Sequence, residues 1–354
     1  MKAPLLSVVM SVCNVDRFLV ESLESILGQS FREFEFVVVD YGSTDKSKSI
    51  VANYAARDSR IVLSEIPKCT LPEARNAGCS LARGRYIAIM DADDVSLPDR
   101  LMFEIDFMER NPGVGLLGGA AEWINALRQP LFVLSNPTGY GEIKSELLTR
   151  NPFCHPTVII RKEVFTLVGG YRKALQASHD YDLFLRIAEH FECANLKQVV
   201  LRYRIHASQI SITKQRQQTL CKLAAQASAS CRRRGVPDPL NSVREVSTEL
   251  LASMGVTEAR LKHELAADCR DWVHNMFLAG EYDVALRVAL DFFRSDLRHV
   301  ERWQRADLLV WVARIYRRQN RVFSCMLAAL CAVANRPALA GTLLRSSLRK
   351  PRLV

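Results

Sequence analysis

The first hundred residues alternate short apolar runs with longer amphipathic stretches. The runs with the length and composition of buried strands are residues 5–12, 34–39, 61–64 and 86–90. Stretches with helical periodicity follow them at residues 16–28, 46–56, from 72 onward, and 99–110. Asp16 is placed to cap the first of these helices, and Ser43 or Thr44 the second. Strands that alternate with helices predict right-handed βαβ units and therefore an α/β fold with a mostly parallel sheet.

The alternation weakens after this point and then gives way to helix alone. Strand candidates are residues 114–117, 131–134, 155–161 and 196–204, with helices expected at 162–168 and 180–190. The later segments with helical periodicity are residues 214–234, 243–254, 257–279, 282–293 and 300–318. We therefore predict a domain boundary near Thr213, with an α/β domain over 1–213 and a helical domain over 214–354.

A hydrophobic stretch from Val322 to Ala334 is thirteen residues long, too short to cross a bilayer. Two interpretations are open. The favoured one is a buried hairpin of the helical domain. The other is a segment that lies in a membrane interface, helped by Arg345, Arg349, Lys350 and Arg352 against anionic lipid.

Composition supports a globular protein of two domains, since 49% of the 354 residues are hydrophobic and 24% are charged. The ten cysteines form no Cys-x-x-Cys pair, so zinc spacing is absent and reduced thiols in a cytoplasmic protein are expected. The segment that follows Met1 lacks the features of a signal peptide.

The net charge of +10 is concentrated near the end of the sequence, where residues 301–354 hold eleven Lys or Arg and two acids. Such asymmetry indicates a partner for this segment. An anionic membrane surface suits it better than nucleic acid, because no nucleic-acid recognition motif accompanies the charge. We expect peripheral contact with the inner face of the plasma membrane and no nucleic-acid partner.

Three carboxylates lie within four positions directly after the strand 86–90, at Asp91, Asp93 and Asp94. Because side chains alternate along a strand, Asp91 and Asp93 point the same way and can share one divalent cation. The alternative is a polar turn that caps the next helix, since Asp is common in caps and turns.

Polar residues also follow the first two strands, at Asn14 and at Asp40 and Tyr41. Ligands bind at the carboxyl ends of strands in open α/β sheets. An Asp after the second strand and a carboxylate cluster after the fourth suit a nucleotide diphosphate, whose phosphates a metal ion holds. Neither Gly-x-Gly-x-x-Gly nor Gly-x-x-x-x-Gly-Lys-Ser/Thr occurs, so a dinucleotide oxidoreductase and a P-loop NTPase both lose support.

Eight segments occur in an order that resembles the family 2 glycosyltransferases, which have the GT-A type nucleotide-binding fold. They are Leu-Leu-Ser-Val-Val-Met-Ser-Val-Cys-Asn at 5–14, Ser-Ile-Leu-Gly-Gln-Ser-Phe at 25–31, Val-Val-Asp-Tyr-Gly-Ser-Thr-Asp at 38–45, Ala-Arg-Asn-Ala-Gly at 74–78, Met-Asp-Ala-Asp-Asp at 90–94, His-Pro-Thr-Val at 155–158, His-Asp-Tyr-Asp-Leu at 179–183 and Tyr-Arg-Ile-His-Ala-Ser at 203–208. The resemblance covers about the first 210 residues, and the helical remainder has no matching motif.

The resemblance implies transfer of a sugar from a nucleotide-sugar, usually a UDP-sugar, with inversion at the anomeric carbon. It implies Mg²⁺ or Mn²⁺ held by Asp93 and Asp94, with Asp91 near the ribose or the metal. Asp180 matches the general base that takes the proton of the acceptor hydroxyl. The structural alternative for Asp180 is a helix cap, with Asp182 and Arg186 forming an i,i+4 pair.

Three further residues are candidates for the site, and for two of them a structural role is also open. Arg75 is expected to be a phosphate clamp, and the alternatives are that it pairs with a helix neighbour such as Glu73 or faces solvent. His206 lies near the diphosphate or metal in relatives, or serves a structural role. His155 is expected to shape the acceptor floor.

Two positions depart from the family pattern. His179 stands where the family often has Glu. Tyr41 replaces a second Asp that contacts uracil, so it can stack on or hydrogen-bond a base without offering a carboxylate.

The predicted function is an inverting glycosyltransferase in polysaccharide, lipopolysaccharide or glycolipid synthesis, acting on a carbohydrate or lipid-linked acceptor. Alternatives are a catalytically impaired nucleotide-sugar-binding scaffold and a nucleotidyltransferase on a similar sheet. The scaffold interpretation is less favoured because the sequence retains all the carboxylates expected of an active enzyme: Asp40, Asp91, Asp93, Asp94 and Asp180. The nucleotidyltransferase would need a basic loop after Val12, and none is there. A processive synthase is disfavoured because no spanning helices are predicted.

Overall fold

The computed structural model describes residues 3–209, 214–295 and 300–340. Its strands are β1 (Leu6–Val12), β2 (Phe34–Asp40), β3 (Ile61–Glu65), β4 (Tyr86–Asp91), β5 (Val95–Ser96), β6 (Val114–Asn125), β7 (Pro130–Leu134), β8 (Ile159–Arg161) and β9 (Glu192–Ile205). Its helices are α1 (Asp16–Leu27), α2 (Ser47–Ala55), α3 (Leu71–Leu81), α4 (Arg100–Arg110), α5 (Tyr140–Glu146), α6 (Lys162–Leu167), α7 (His179–Ala188), α8 (Gln215–Arg233), α9 (Thr248–Ser253), α10 (Glu258–Leu278), α11 (Tyr282–Ser295), α12 (Arg302–Arg318) and α13 (Val322–Asn335).

The strands form one sheet in the order β3-β2-β1-β4-β8-β6-β9-β5, with β7 beside β6. The first four are parallel to one another, whereas β8 runs antiparallel to both β4 and β6. The α/β prediction is therefore confirmed, and the sheet is mixed beyond β4 where a mostly parallel one was expected. In the parallel part Val12 pairs with Asp40 and Ser11 with Asp91, so three strands end at the same edge.

Helices cover both faces of the parallel strands because their side chains alternate between two apolar clusters. Val8 and Met10 of β1 pack in one cluster with residues of α1 and α4, and Val9 packs in the other with residues of α3 and α7. The approach of α3 is close, since a Cβ at Gly78 would lie 2.6 Å from Val9 Cγ1. Apolar contact on both faces explains why these strands read as nearly continuous hydrophobic runs.

The loop after β2 supplies the caps of two helices, and the predicted caps of α1 and α2 are wrong. Asp45 Oδ2 accepts from the backbone N–H of Asp16 at 3.1 Å, and Ser47 Oγ accepts from that of Val15 at 3.0 Å. Asp45 Oδ1 also accepts from the N–H of Ser47, the first residue of α2, at 2.9 Å. The loops after β1 and β2 are thus tied together by backbone amides that would otherwise lack partners.

Several predicted elements differ from the structure. The strand expected at 114–117 is the twelve-residue β6. The strand expected at 155–161 begins as a 3-10 turn at His155–Thr157, because Pro156 cannot donate to a ladder, and only β8 is extended. The helix expected from 243 begins only at Thr248, where Ser247 Oγ accepts from the N–H of Leu250. The sequence pattern did not predict α5 or β5.

The chain divides into two compact units. The first contains the chain up to Arg204 together with Leu220–Met254, and the second contains Ile205–Thr219 and the chain from Gly255. The predicted boundary residue, Thr213, lies outside the described residues. The segment Leu220–Met254 belongs to the first unit by its contacts, whereas the sequence pattern assigned it to a separate helical domain.

The second unit packs α10, α11, α12 and α13 against one another, with His274 stacked on Trp311 at 4.5 Å between ring centroids. The apolar stretch packs against α12 as the favoured hairpin interpretation expected, but its predicted burial is wrong, because Phe323 is 81% exposed and Leu330 66%. In residues 3–209, 214–295 and 300–340, we find no helix whose length and apolar character suffice to traverse a bilayer.

Candidate active site

The loops after β1 and β2 meet at Asn14. Asn14 adopts a left-handed backbone conformation (φ 54°), and its Oδ1 accepts from the backbone N–H groups of Thr44 at 2.7 Å and Asp45 at 3.3 Å. Its own backbone N–H donates to Ser43 Oγ at 3.2 Å. The side-chain oxygen of Asn14 therefore joins the two loops, and the predicted binding of a nucleotide-sugar by Asn14 stays a prediction.

Asp40 ends β2 and is almost completely buried. Its Oδ1 accepts from the backbone N–H groups of Gly42 at 3.1 Å and Ser43 at 3.0 Å, which forms a tight turn. Its Oδ2 is buried and has no hydrogen-bond partner in the described part of the chain. A buried carboxylate oxygen without a donor is unfavourable, so this atom suits an N–H group that a ligand brings.

Tyr41 follows Asp40, and the structure buries most of its ring in the core. Burial raises the pKa of the Tyr41 hydroxyl well above its ordinary value. The Lys68 ammonium lies 5.1 Å from the centre of the ring and donates to Cys13 Sγ at 2.7 Å. Little of the ring is available to stack on a base, and Lys68 is a residue of this edge that the sequence motifs did not reveal.

The carboxylate loop after β4, residues 91–94, is fixed by hydrogen bonds from β9 and α1. Asp94 is fully buried, and its Oδ1 accepts from the backbone N–H of Arg204 at 2.8 Å. The guanidinium of Arg204 donates through Nε to Asp93 O at 2.7 Å. Ser22 in α1 donates its hydroxyl to Asp94 O at 2.6 Å. Neither contact was predicted: Ser22 lies outside the matched segments, and Arg204 lies in the segment 203–208 but was assigned no role there.

Negative charge accumulates in this loop. Burial, followed by the charges of Asp93 and Asp91, holds the pKa of Asp94 well above its ordinary value, and Asp94 Oδ2 has no hydrogen-bond partner among the described residues. Burial also raises the pKa of Asp91, against the opposing charge of Arg75.

A divalent cation would relieve this repulsion, so the donor set fits Mg²⁺ or Mn²⁺. In the described ranges no three His, Cys, Asp or Glu side chains are arranged as a ligand set. Mg²⁺ is often held by only one or two carboxylates together with substrate phosphates, so it does not require a set of three protein ligands.

Arg75 in α3 connects the carboxylate loop with the first turn of α7. Its side chain is buried, and Nη2 donates to Asp91 Oδ1 at 2.5 Å while Nη1 contacts His179 Nε2. Glu73 is not its partner, which makes that alternative wrong. Glu73 instead accepts from Thr70, forming the capping box of α3. The guanidinium is thus held between the predicted donor side and the predicted acceptor side of the site.

His179 lies in a cluster of buried aromatic rings. Burial and the nearby Arg75 hold the pKa of His179 well below its ordinary value, so the ring is neutral and its Nε2 accepts from Arg75. Ring centroids lie 5.3 Å from Tyr171 and 6.0 Å from His155. His155 Nε2 in turn lies 2.9 Å from the Tyr171 hydroxyl. The rings thus pack together beside Asp180, and the acceptor role of His155 stays a prediction.

Asp180 lies in the first turn of α7, next to His179. Burial raises the pKa of its carboxyl, and the charge of Arg75 opposes the rise. Asn151 donates from Nδ2 to Asp180 Oδ2 at 3.0 Å. The predicted i,i+4 pair is confirmed, since Arg186 Nη2 lies 2.8 Å from Asp182 Oδ2. A carboxylate with a raised pKa is chemically suited to accept a proton from a hydroxyl group.

His206, the last of the predicted site residues, belongs to the second unit. Its Nδ1 lies 2.9 Å from Ser208 Oγ, and its backbone N–H donates to Gln209 Oε1 at 3.3 Å. A role for His206 near the diphosphate stays a prediction. Of the predicted site residues, the structure brings together Asp91, Arg75 and Asp180.

Comparison with known sequences places this arrangement in context. The model of the family described as "Glycosyl transferase family 2" matches residues 7–167. An uncharacterized glycosyltransferase of Methanocaldococcus jannaschii is 32% identical over 213 residues, which cover 58% of this chain and 72% of the relative. The O-antigen biosynthesis glycosyltransferase WbnJ of Escherichia coli is 31% identical over 214 residues, covering 57% of this chain and 80% of the relative.

Comparison with solved structures confirms the predicted GT-A type fold. TarS of S. aureus (residues 1–349), in complex with UDP-GlcNAc, has a TM-score of 0.50 and 17% identity over 92% of this chain and 90% of its own. The mannosyltransferase PcManGT of Pyrobaculum calidifontis, in complex with GDP-Man and Mn²⁺, has a TM-score of 0.50 and 17% identity over 94% and 87%. With the fold shared at this level and the sequence matches extending over most of both relatives, the chain belongs to glycosyl transferase family 2.

Proposed function

We propose that the protein transfers a sugar from a nucleotide-diphosphate sugar to a hydroxyl acceptor with inversion at the anomeric carbon. The observation that carries the proposal is the buried Arg75, which joins Asp91 at the end of β4 to His179, the neighbour of Asp180. One guanidinium thereby couples a carboxylate loop suited to a diphosphate with a carboxylate suited to deprotonate an acceptor. Membership of the family removes the nucleotidyltransferase alternative.

The donor side lies at the ends of β1, β2 and β4. The unpaired Asp40 Oδ2 is placed to accept an N–H group of the base, and UDP is the first nucleotide to test. Complexes of TarS with UDP-GlcNAc and of PcManGT with GDP-Man support a nucleotide-diphosphate sugar as the donor class. Because Tyr41 offers no second carboxylate, the choice of base depends chiefly on Asp40.

A Mg²⁺ or Mn²⁺ ion would be held by Asp93 and Asp94, with Asp91 beside it, and would neutralise charge that develops on the departing diphosphate. The Mn²⁺ in the PcManGT complex supports this choice of ion. Arg204 and Ser22 fix the backbone of this loop, so the carboxylates need no reorganisation when the donor binds. Arg75 adds a positive charge next to Asp91 and acts as the phosphate clamp.

On the acceptor side, Asp180 takes the proton of the hydroxyl group while its oxygen attacks the anomeric carbon. The bond from that carbon to the diphosphate oxygen breaks, and the electron pair leaves with the nucleotide diphosphate. Attack from the face opposite the leaving group inverts the configuration. Asp180 must be ionised for this step, so the rate falls as the pH drops through its raised pKa.

The acceptor belongs to polysaccharide, lipopolysaccharide or glycolipid synthesis. Relatives named for O-antigen and amylovoran biosynthesis support this assignment. The enzyme then acts at the cytoplasmic face of a membrane, where lipid-linked acceptors are presented. Peripheral attachment there would raise the local concentration of enzyme at its acceptor.

Helix α13 offers the surface for that attachment. It has no charged residue, and its exposed side chains recur on one face at Val322, Phe323, Met326, Leu327 and Leu330. No acidic residue follows Asp307 in the sequence, while exposed arginines flank the helix. This basic surround favours an anionic bilayer over a second copy of the same face, whose like charges would repel. The basic residues at 345, 349, 350 and 352 lie outside the described residues.

Sedimentation with vesicles tests the membrane contact. The double variant Phe323→Ser, Leu330→Ser should lose binding to vesicles of phosphatidylglycerol and phosphatidylcholine while keeping its affinity for donor. Val133→Ser, which removes an exposed apolar side chain of β7, is the control. Equal sedimentation of all three proteins, or a change of oligomeric state in the double variant, would contradict a bilayer as the occupant.

A donor screen with product analysis tests the reaction. Nucleotide-diphosphate release should require acceptor, stop with EDTA and resume with Mn²⁺ or Mg²⁺, and the glycosidic product should show inverted configuration by NMR. Asp180→Asn should bind donor normally, and its rate of sugar transfer should fall by about 10²–10⁴-fold, the range expected for loss of a general base. Donor binding without turnover for every acceptor would favour the impaired scaffold, and a retained configuration would refute inversion.

A further inference from the structure

Asn151 lies in the loop between α5 and the 3-10 turn, and both ends of its amide are engaged. Its Oδ1 accepts from the backbone N–H of Phe153 at 3.1 Å. Because that bond identifies the oxygen of the amide, the other end must be the N–H₂ group. This group donates to Asp180 Oδ2 at 3.0 Å. The direction of the contact with Asp180 is therefore fixed by a neighbouring backbone amide.

The loop that carries Asn151 is clamped on both sides. The Tyr181 hydroxyl donates to Leu147 O at 2.6 Å, and Gln226 Nε2 donates to Thr149 O at 2.8 Å. On the far side, Asn195 Nδ2 donates to Pro152 O at 3.0 Å. The loop thus cannot shift without breaking bonds from α7, α8 and β9, which makes Asn151 a preorganised donor.

We propose that Asn151 is a positioning residue for the catalytic base: it orients the Asp180 carboxylate toward the acceptor and favours its ionised form. This rests on the function proposed above, in which Asp180 accepts the hydroxyl proton. A hydrogen bond donated to a carboxylate stabilises its charged state and fixes which lone pairs remain free. Asn151 engages Oδ2, and the backbone N–H groups of Tyr181 and Asp180 also donate to this carboxyl, so its orientation is set by several donors of which Asn151 is the side chain.

Other groups also act on the Asp180 carboxyl. Arg75 of α3 and the backbone N–H groups of Tyr181 and Asp180 favour the carboxylate, and Asp91 of β4 disfavours it. Tyr171 and Cys154 feel the charge of Asp180, and burial keeps both protonated, with the pKa of each well above its ordinary value. His179 is neutral. The charge of Arg75 is shared with Asp91, and Asn151 is the side chain that donates to Asp180 Oδ2, so its removal should have an effect distinct from that of these charges.

Two variants of Asn151 test the role through the pH dependence of kcat. Asn151→Ala removes the donor and should move the acid limb about one pH unit upward, with kcat near that limb falling about tenfold. Asn151→Asp keeps the size and the bond from Phe153 but places a carboxylate against Asp180, so the acid limb should move further. The KM for donor should stay within about twofold of wild type in both variants.

A matched control separates this effect from loss of any half-buried amide. Asn111 follows α4, and its amide donates to Phe107 O within that helix. Asn111→Ala therefore removes a comparable amide that does not contact Asp180, and it should leave the acid limb unchanged. An acid limb of wild-type position in both Asn151 variants would overturn the proposal. So would failure of both to bind donor, since Asn151 would then act on folding alone.

The outcomes distinguish this inference from the proposed function. If wild-type protein transfers sugar and Asp180→Asn does not, while the Asn151 variants retain the wild-type pH profile, only the role of Asn151 is wrong. If wild-type protein transfers no sugar from any donor, or Asp180→Asn stays fully active, the proposed function itself is wrong.

Discussion

Replacing Arg75 by methionine removes the cation that Asp91 faces while keeping a side chain of similar length. The wild-type pair is well shielded from water, since the Arg75 side chain is 8% exposed and that of Asp91 28%. Removing one partner of a buried pair leaves an uncompensated charge and costs about 3–5 kcal/mol. Because Asp91 retains some contact with water, we expect the lower end, about 3 kcal/mol.

The pH dependence of this loss provides the sharper test. Arg75 is the largest influence that opposes the burial-raised pKa of Asp91, so in the variant that pKa rises further. A carboxyl with a folded-state pKa above its unfolded value stabilises the fold fully below the unfolded value and loses that contribution as pH rises. The stability difference between wild type and variant should therefore be larger at pH 8 than at pH 5.

Thermal unfolding at both pH values measures the effect. For a unit of more than two hundred residues, a loss of about 3 kcal/mol lowers Tm by roughly 6–12 °C. The control is Arg110→Met, whose side chain is 75% exposed in its pair with Asp106, and which should shift Tm by about 2 °C or less. A loss for Arg75→Met no greater than that of the control, or equal at pH 5 and pH 8, would refute this account of the buried pair.

Two further variants test the carboxylate loop and the packing beneath it. Asp94→Asn should flatten the pH dependence of Tm without metal and reduce the rise in Tm that Mn²⁺ causes. The reason is that the raised pKa of Asp94 makes wild-type stability fall as pH rises through it, and parallel wild-type and variant curves would contradict this. Gly78→Ala should lower the free energy of unfolding by about 1–3 kcal/mol in urea titrations, because its Cβ would overlap Val9, and a neutral result would contradict the close packing of α3.

The sequence predicts which residues lie on the donor side of this site better than it predicts the contacts that join them to the rest of the site. Asp40 and the carboxylates after β4 follow long apolar runs, so their position at the strand ends could be inferred from local pattern alone. The interior of β6 was missed beyond residue 117, because glycines at 118 and 119 and polar residues at 122 and 125 interrupt the apolar pattern. Local pattern identifies an element only where its own residues show the expected period.

The connections within the site depend on contacts between residues far apart in the chain. Arg75 and His179 are separated by 104 positions, and Arg204 and Asp94 by 110. No local property of Arg75 distinguishes a partner in the same helix from one across the sheet edge, which is why Glu73 was a reasonable but wrong alternative. Asn151 carries no motif at all, and only the folded loop shows that its amide meets Asp180.

Calorimetric titration of donor, compared with turnover, tests the central claim most directly. Wild-type protein should bind nucleotide-diphosphate sugar tightly with Mn²⁺ and weakly with EDTA. Asp93→Asn should lose the metal-dependent part of the binding, whereas Asp180→Asn should keep it and lose transfer. If EDTA leaves both donor affinity and turnover unchanged, or if the two variants lose binding and transfer alike, a metal-held diphosphate opposite a separate base is the wrong description of this site.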